Sequence, residues 1–263
     1  VSCVPGPPTC DRPRERRTPS PWPGLTRGAL SVASKPRTRS VENRVTLLGP
    51  AMGVRRIDQK AWYVMPYMAF SQYTGDTTDM GADFEVARQK LMALGSSRVS
   101  GSVALTGEAA GSFTVASVWD TADAYFDARP QVLSDPEVGA LMQRRSMAPV
   151  QTAFAELYGQ SGNPEGKYAV SVVAIVASQS PETWQSVAQT AGNVMLAHGT
   201  NGMRFTRAIA AGQQSGVHVA VSYTDSLDSY LEASAAAAAD SDFVAAMTAA
   251  EGQIVMRQFN LMI

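Results

Sequence analysis

The sequence predicts an α+β fold built from two tandem β-α-β-β-α-β modules, pairing as a pseudo-twofold barrel behind an N-terminal extension. Three observations carry this expectation. The phrase "SVWDTADAY", Ser117 to Tyr125, returns as "SYTDSLDSY", Ser222 to Tyr230. Strand-like and helix-like apolar patterns follow one another in the same order on both sides of a polar turn-rich stretch. The first fifty residues share neither pattern.

Those first residues differ in composition. Residues 1–50 hold nine of the 15 prolines, nine of the 22 basic residues and three of the 23 acidic ones. Such a segment buries too little apolar surface to offset its ordering entropy. It lacks the apolar core of a signal peptide. Val1 stands at the start, and Met52 and Met65 precede recognisable pattern. Residues 1–61 are therefore expected to be a disordered or upstream extension without a folded role, the alternative being a basic interaction arm.

From residue 62 the pattern is globular. "WYVMPYMAF" is a strand-like run. "ADFEVARQKLMALG" carries Phe84, Ala87, Leu91 and Leu94 at helical spacing, with Gly95 as its stop. "RVSGSVALT" and "GSFTVASVW" read as strands joined by "GEAAG". "DTADAYFDA" opens a helix with Asp120 as the expected N-cap. "SDPEVGALMQRR" restarts it with Asp135 as N-cap and Pro136 at N1. "PVQTAFAELYG" closes the first module, residues 62–160.

Residues 161–167, "SGNPEGK", read as a linker. The order then repeats over residues 168–263. "YAVSVVAIVA" is a strand, and "PETWQSVAQTAGNVMLAHG" is a helix closed by Gly199. "MRFTRAIAA" and "GVHVAVSYT" flank the loop "GQQSG". "DSLDSYLEASAAAAA" and "DSDFVAAMTAA" are the broken helix, and "QIVMRQFNLMI" is the last strand. From the hairpin onward the halves align at a shift of 105 residues, and nine of the 32 pairs from Gly111 to Met142 are identical. Asp120/Asp225 and Asp135/Asp240 recur as expected helix caps.

A module of this order has the split-βαβ, ferredoxin-like plan. The "WDTADAY" and "YTDSLDSY" strand-to-helix phrases, with the "DPEVGALM" and "DSDFVAAM" helix starts, resemble the dimeric α/β-barrel superfamily. That group includes antibiotic-biosynthesis-monooxygenase-like proteins, and the resemblance is to its tandem-module bacterial members over residues 62–263. It implies two sheets burying their free faces against each other, here within one chain, as a monomeric pseudo-dimer or a further homodimer. It implies no particular reaction, because the shared positions start helices and fill cores.

Composition narrows the function. The chain is 45% hydrophobic and 17% charged, with a formal net charge of −1. The body after residue 50 is near −7, which argues against a nucleic-acid partner. No apolar run reaches the roughly 18 residues of a membrane span, and the expected location is the cytoplasm. Cys3 and Cys10 both lie in the extension, and His198 and His218 are the only histidines. The sequence offers no conventional metal site, and the expectation is no metal and no cofactor. Some tandem-module relatives bind haem through a second-module histidine, but no motif here matches theirs.

Four residues are the candidate ligand contacts. His198 ends a helix one step beyond its apolar stripe. Arg207 shares a strand with Arg204 at opposite parity, so the two face opposite ways. Tyr67 and Trp119 could line a pocket, as could Trp184. His218 shares a strand face with Ala220, Ser222 and Thr224. This is the more polar face, expected to be the barrel interior, and His218 reads as a hydrogen-bonded structural histidine. The expected function is binding of a small apolar or aromatic molecule in a helix-to-sheet cleft. The alternatives are a cofactor-independent monooxygenase or isomerase on an aromatic or polyketide-like substrate, and a purely structural or assembly module.

Overall fold

Alternating apolar residues make the strands, and the apolar stripes of the helices cover them on one side. The computed structural model describes residues 66–263. The expected extension, 1–61, and the first residues of the first module lie outside the described residues. The elements are β1 (Tyr67–Thr74), α1 (Gly81–Ala93), β2 (Arg98–Ala104), β3 (Phe113–Trp119), α2 (Ala122–Ser134), α3 (Pro136–Arg144) and β4 (Ala148–Gly162). They continue as β5 (Tyr168–Val176), α4 (Pro181–Ala197), β6 (Gly202–Ala210), β7 (His218–Thr224), α5 (Leu227–Ala239), α6 (Ser241–Ala249) and β8 (Gly252–Met262). The fold is α+β, with eight antiparallel strands and six helices among the described residues.

The strands hydrogen-bond in the order β1-β3-β2-β8-β5-β7-β6-β4, and β4 pairs with β1 to close the ring. Two ladders join the halves. β4 pairs with β6 from Phe154↔Ala210 to Gly162↔Gly202. β2 pairs with β8 over the shorter run Ser102↔Met262 to Ala104↔Asn260. Every strand thus has a neighbour on both sides, although most of β8 lies beyond its short ladder to β2. β4 runs two residues into the stretch read as a linker, because its last residues find partners on β6.

Each strand shows one face to the interior of the ring and one to the helices. Met68, Val118 and Leu157 pack on the inner face, as do Ala169, Val221 and Tyr223. Arg204 is buried there too, its Nε donating to Gln160 Oε1 at 3.1 Å. On the outer face Ala69, Trp119 and Phe154 pack against Tyr125 of α2, and Val170, Met203 and Phe205 against Tyr230 of α5.

The helix ends follow from local chemistry. In α1, Gly95 N–H donates to Met92 O and Ser96 N–H to Leu91 O, with Gly95 at φ 105°. In α4, Gly199 N–H donates to Leu196 O and Thr200 N–H to Met195 O, with Gly199 at φ 99°. Both ends are Schellman motifs, in which the left-handed residue disfavours a side chain. Asp135 Oδ1 accepts from Glu137 and Val138 N–H, and Asp240 Oδ1 accepts from Asp242 and Phe243 N–H. Asp120 and Asp225 are not caps. Thr121 Oγ1 caps α2 and Ser226 Oγ caps α5, one residue later in each case. Asp225 instead accepts from Lys167 N–H and Asn201 Nδ2, tying the stretch before β5 to the end of β7.

Replacing Asp135 or Asp240 by Ala is expected to cost about 1 kcal/mol each in urea unfolding. Asp120→Ala, which removes no cap, is expected to stay within about 0.5 kcal/mol of the unsubstituted protein.

Candidate functional site

The most developed site lies between the outer face of the second half's sheet and α4, α5 and α6. Ser180 caps α4, its Oγ accepting from Thr183 N–H, and Pro181 takes the first helical position, where no N–H is needed. That entry places Trp184 one turn in, against the sheet, with its indole N–H donating to Ser178 O at 2.7 Å. His218 begins β7, opposite Ala174 on β5 and Arg207 on β6. Tyr158 comes from β4, where the ladder to β6 skips it: Leu157 pairs with Thr206 and Gly159 with Phe205. Such a bulge re-aims side chains. Here Tyr158 and Gly159 both meet the helix-covered side, where Tyr158 approaches Trp184 and Gly159 approaches Ala188.

These residues meet. His218 Nδ1 and Tyr158 Oη lie 3.1 Å apart and share one hydrogen bond. The His218 ring sits edge-on to Trp184 at 4.8 Å between centroids. The Arg207 guanidinium lies 4.9 Å from the Trp184 ring centroid and pairs with Glu156 at 3.2 Å. His218 is 5% exposed. Burial, helped by the Arg207 charge, pushes its pKa down to about 4. The imidazole is therefore neutral at neutral pH. Burial, with the Glu156 charge, pushes the Tyr158 phenol up. One imidazole nitrogen is committed to Tyr158, and Nε2 has no hydrogen-bond partner among the described residues.

The pair borders a cavity of about 160 Å³, walled mainly by apolar side chains including Trp184, Met195, Tyr230, Phe243 and Met247. Ala237 and Ala238, from the alanine run of α5, face the same space. A second cavity of about 150 Å³ occupies the corresponding place in the first half. There Phe113, 105 residues before His218, takes the histidine's place and meets Phe84 edge-on at 5.8 Å. A third hollow, of about 330 Å³, lies elsewhere; the charges in its wall are already paired, Arg88 with Glu85 and Arg98 with Glu165. Among the described residues no three His, Cys, Asp or Glu side chains gather as metal ligands.

The four residues singled out from the sequence do not share one pocket. His198 is the exposed C-cap residue of α4, carried past the end of the buried stripe by the Schellman turn. Tyr67 and Trp119 face each other across β1 and β3 and enter the first half's aromatic core. Tyr67 stacks on Phe154 at 5.1 Å, and Trp119, fully buried, donates its indole N–H to Ser117 Oγ at 2.8 Å. Arg207 braces Trp184, and Arg204 faces the ring interior, as their opposite parity requires. His218 was expected in the interior and lies under the helices. The strand's alternation groups it with Ala220 and Ser222 without saying which face the helices cover. Tyr158 carried no sequence signal, since its place depends on the bulge.

No protein-family model matches the chain, and no curated protein does. Solved structures do resemble it. A candidate monooxygenase from Lactobacillus acidophilus superposes with a TM-score of 0.50 at 8% identity, over 76% of this chain and 93% of that one. An anthrone oxidase-like protein gives a TM-score of 0.48 at 12% identity, over 76% and 92%. A haem-binding protein from Thermus thermophilus gives 0.46 at 8% identity, over 76% and 91%. The first likeness is one of fold alone, the ferredoxin-type α+β plan.

The buried neutral imidazole makes stability depend on pH. Its pKa falls from the ordinary 6.5 to about 4 on folding. Across that window the unfolded chain binds a proton that the folded chain does not, so stability falls as pH drops. The loss attributable to His218 is at most about 3 kcal/mol. Urea unfolding at about pH 7 and about pH 4.5 should show this component in the unsubstituted protein and not in His218→Phe.

Proposed function

We propose that the chain binds a small, largely apolar aromatic molecule in the helix-to-sheet cavity of its second half, without a metal. The observation that carries this reading is an apolar cavity of about 160 Å³ bordered by one neutral hydrogen-bonding pair, His218 and Tyr158. Ligand sites of this kind are mostly apolar, with few placed polar groups. The volume matches a single aromatic ring, since an apolar cavity of about 150 Å³ accommodates benzene. Arg207 holds the outer face of Trp184 and so stiffens one wall. A haem, the group that one structural neighbour binds, does not fit: drug-sized ligands already need about 300 Å³.

We also infer that the halves are two copies of one module, residues 62–160 and 168–263 joined by 161–167, forming a pseudo-twofold barrel within one chain. Matching Schellman ends at Gly95 and Gly199, matching caps at Asp135 and Asp240, and the two β-strand exchanges between halves support it. In this reading the second half's site is composite, because Tyr158 comes from the first half's last strand.

A second reading, a cofactor-independent monooxygenase or isomerase, is favoured by the unpartnered Nε2 of a neutral imidazole, which can accept a proton from a bound ligand in the tautomer whose Nδ1–H donates to Tyr158 Oη. Its signature would be oxygen uptake, or exchange of a ligand proton with solvent, lost in His218→Phe.

Calorimetric titration with phenol and toluene tests the binding reading. Both should bind, phenol more tightly, and His218→Phe should weaken phenol roughly tenfold while leaving toluene little changed. Ala191→Phe, which puts a ring into the cavity, should abolish both. Failure of both probes to bind the unsubstituted protein, or binding unchanged in Ala191→Phe, would refute it.

A further inference from the structure

The first half's cavity lacks a histidine, but it contains an unmet polar group of its own. Tyr125, on α2, is 4% exposed and lines this cavity. Its ring is fixed on three sides, stacked on Phe154 at 5.2 Å and edge-on to Trp119 and Phe126. Its hydroxyl is buried and makes no well-aligned hydrogen bond, with the Ser71 hydroxyl and the Arg129 guanidinium beside it. An orphaned buried hydroxyl costs the full desolvation of the group, so native structures rarely keep one without a use.

The charges around the cavity decide what would satisfy that hydroxyl. Asp83, in the wall, is held by Arg144 and by Arg145 Nε at 2.6 Å. Arg129, one turn after Tyr125 and also in the wall, makes no ion pair among the described residues. Ser71 supplies a further hydroxyl from β1. Burial pushes the Tyr125 phenol up, with the Arg129 charge opposing it, so the group stays protonated at neutral pH and can donate. Apart from the hydroxyls of Tyr73, Ser117 and Thr152, the rest of the wall is apolar, including Phe84, Leu91, Phe113 and Met142. A single ring fills about 150 Å³.

We propose that the first half's cavity is a second site, selective for a small aromatic carboxylate whose ring occupies the apolar chamber and whose carboxylate accepts from Tyr125 and faces Arg129. The site differs in chemistry from the cavity of the second half, where a neutral imidazole faces the ligand. The two halves thus present an anion-selective and a neutral-selective version of the same pocket.

Benzoate tests it, with benzyl alcohol as the neutral comparison, titrated into the full chain and followed by calorimetry. In Ala191→Phe, where the second half's cavity is filled, benzoate should still bind, and more tightly than benzyl alcohol. Tyr125→Phe and Arg129→Gln should each weaken benzoate about tenfold or more, because each removes a charge-assisted partner. His218→Phe should leave benzoate affinity unchanged, which separates this site from the one in the second half. Tyr125→Phe keeps the ring stack and removes only the orphaned hydroxyl, so the Tm without ligand should hold or rise. The proposal fails if benzoate does not bind, if Tyr125→Phe binds it as well as the unsubstituted protein, or if His218→Phe lowers its affinity. A fall in the ligand-free Tm of Tyr125→Phe would also overturn it, by showing that the hydroxyl is already satisfied, for instance by water.

Discussion

A four-stranded sheet covered by helices on one side leaves an apolar face and two open edges, and everything else in this protein depends on how those are buried. The chain closes eight strands into one ring, which hides both inner faces and gives every strand a neighbour on each side. The long strand β4 makes the main junction. It pairs with β1 along its first part and with β6 along its second, and so lies under two different sets of helices. The bulge at Tyr158 falls where the strand passes from one to the other. A closed sheet with a shared strand must change twist and phase somewhere, and a bulge does this at the cost of one unpaired residue.

That junction also builds the site. Because of the bulge, Tyr158 and Gly159 share the helix-covered face: Tyr158 reaches His218, and Gly159 lets α4 approach the strand. Further along, a Cβ on Gly192 of α4 would lie 2.6 Å from Ser161 Oγ, so helix and strand are in close contact there. The same close packing desolvates His218, keeps it neutral and brings it against Trp184. In the first half β4 lends Pro149 and Thr152 to the cavity wall but nothing like Tyr158, and Phe113 replaces the histidine. The polar groups the proposed ligand would meet there, Tyr125 and Arg129 on α2 and Ser71 on β1, come from other elements, so two pockets of similar size differ in what they offer a ligand.

Much of the architecture was legible because it is encoded locally. Helical stripes, the stop glycines Gly95 and Gly199, and the caps Asp135 and Asp240 all depend on residues within a turn of one another. Even so, Asp120 and Asp225 show the limit of local reading. Each stands next to a hydroxyl residue, Thr121 or Ser226, and which of two adjacent capping residues accepts the helix N–H depends on where the strand releases the chain. Asp225 was drawn instead to Lys167 and Asn201, partners 58 and 24 residues away. The candidate site was less legible for the same reason. His198, Tyr67 and Trp119 were conspicuous by type, while His218 and Tyr158 became a pair only when strands 60 residues apart were set side by side.

By itself the sequence determined the order of elements, the repetition of that order, where most helices stop, and which residues share a strand face. These follow from period-2 and period-3.6 patterns and from backbone preferences that need no distant partner. Only the tertiary structure decided which strand face the helices cover, where β4 bulges, and which polar groups end up buried beside a cavity. Those outcomes depend on contacts between segments far apart in the chain, and on desolvation, which a side chain acquires only when the rest of the fold closes around it.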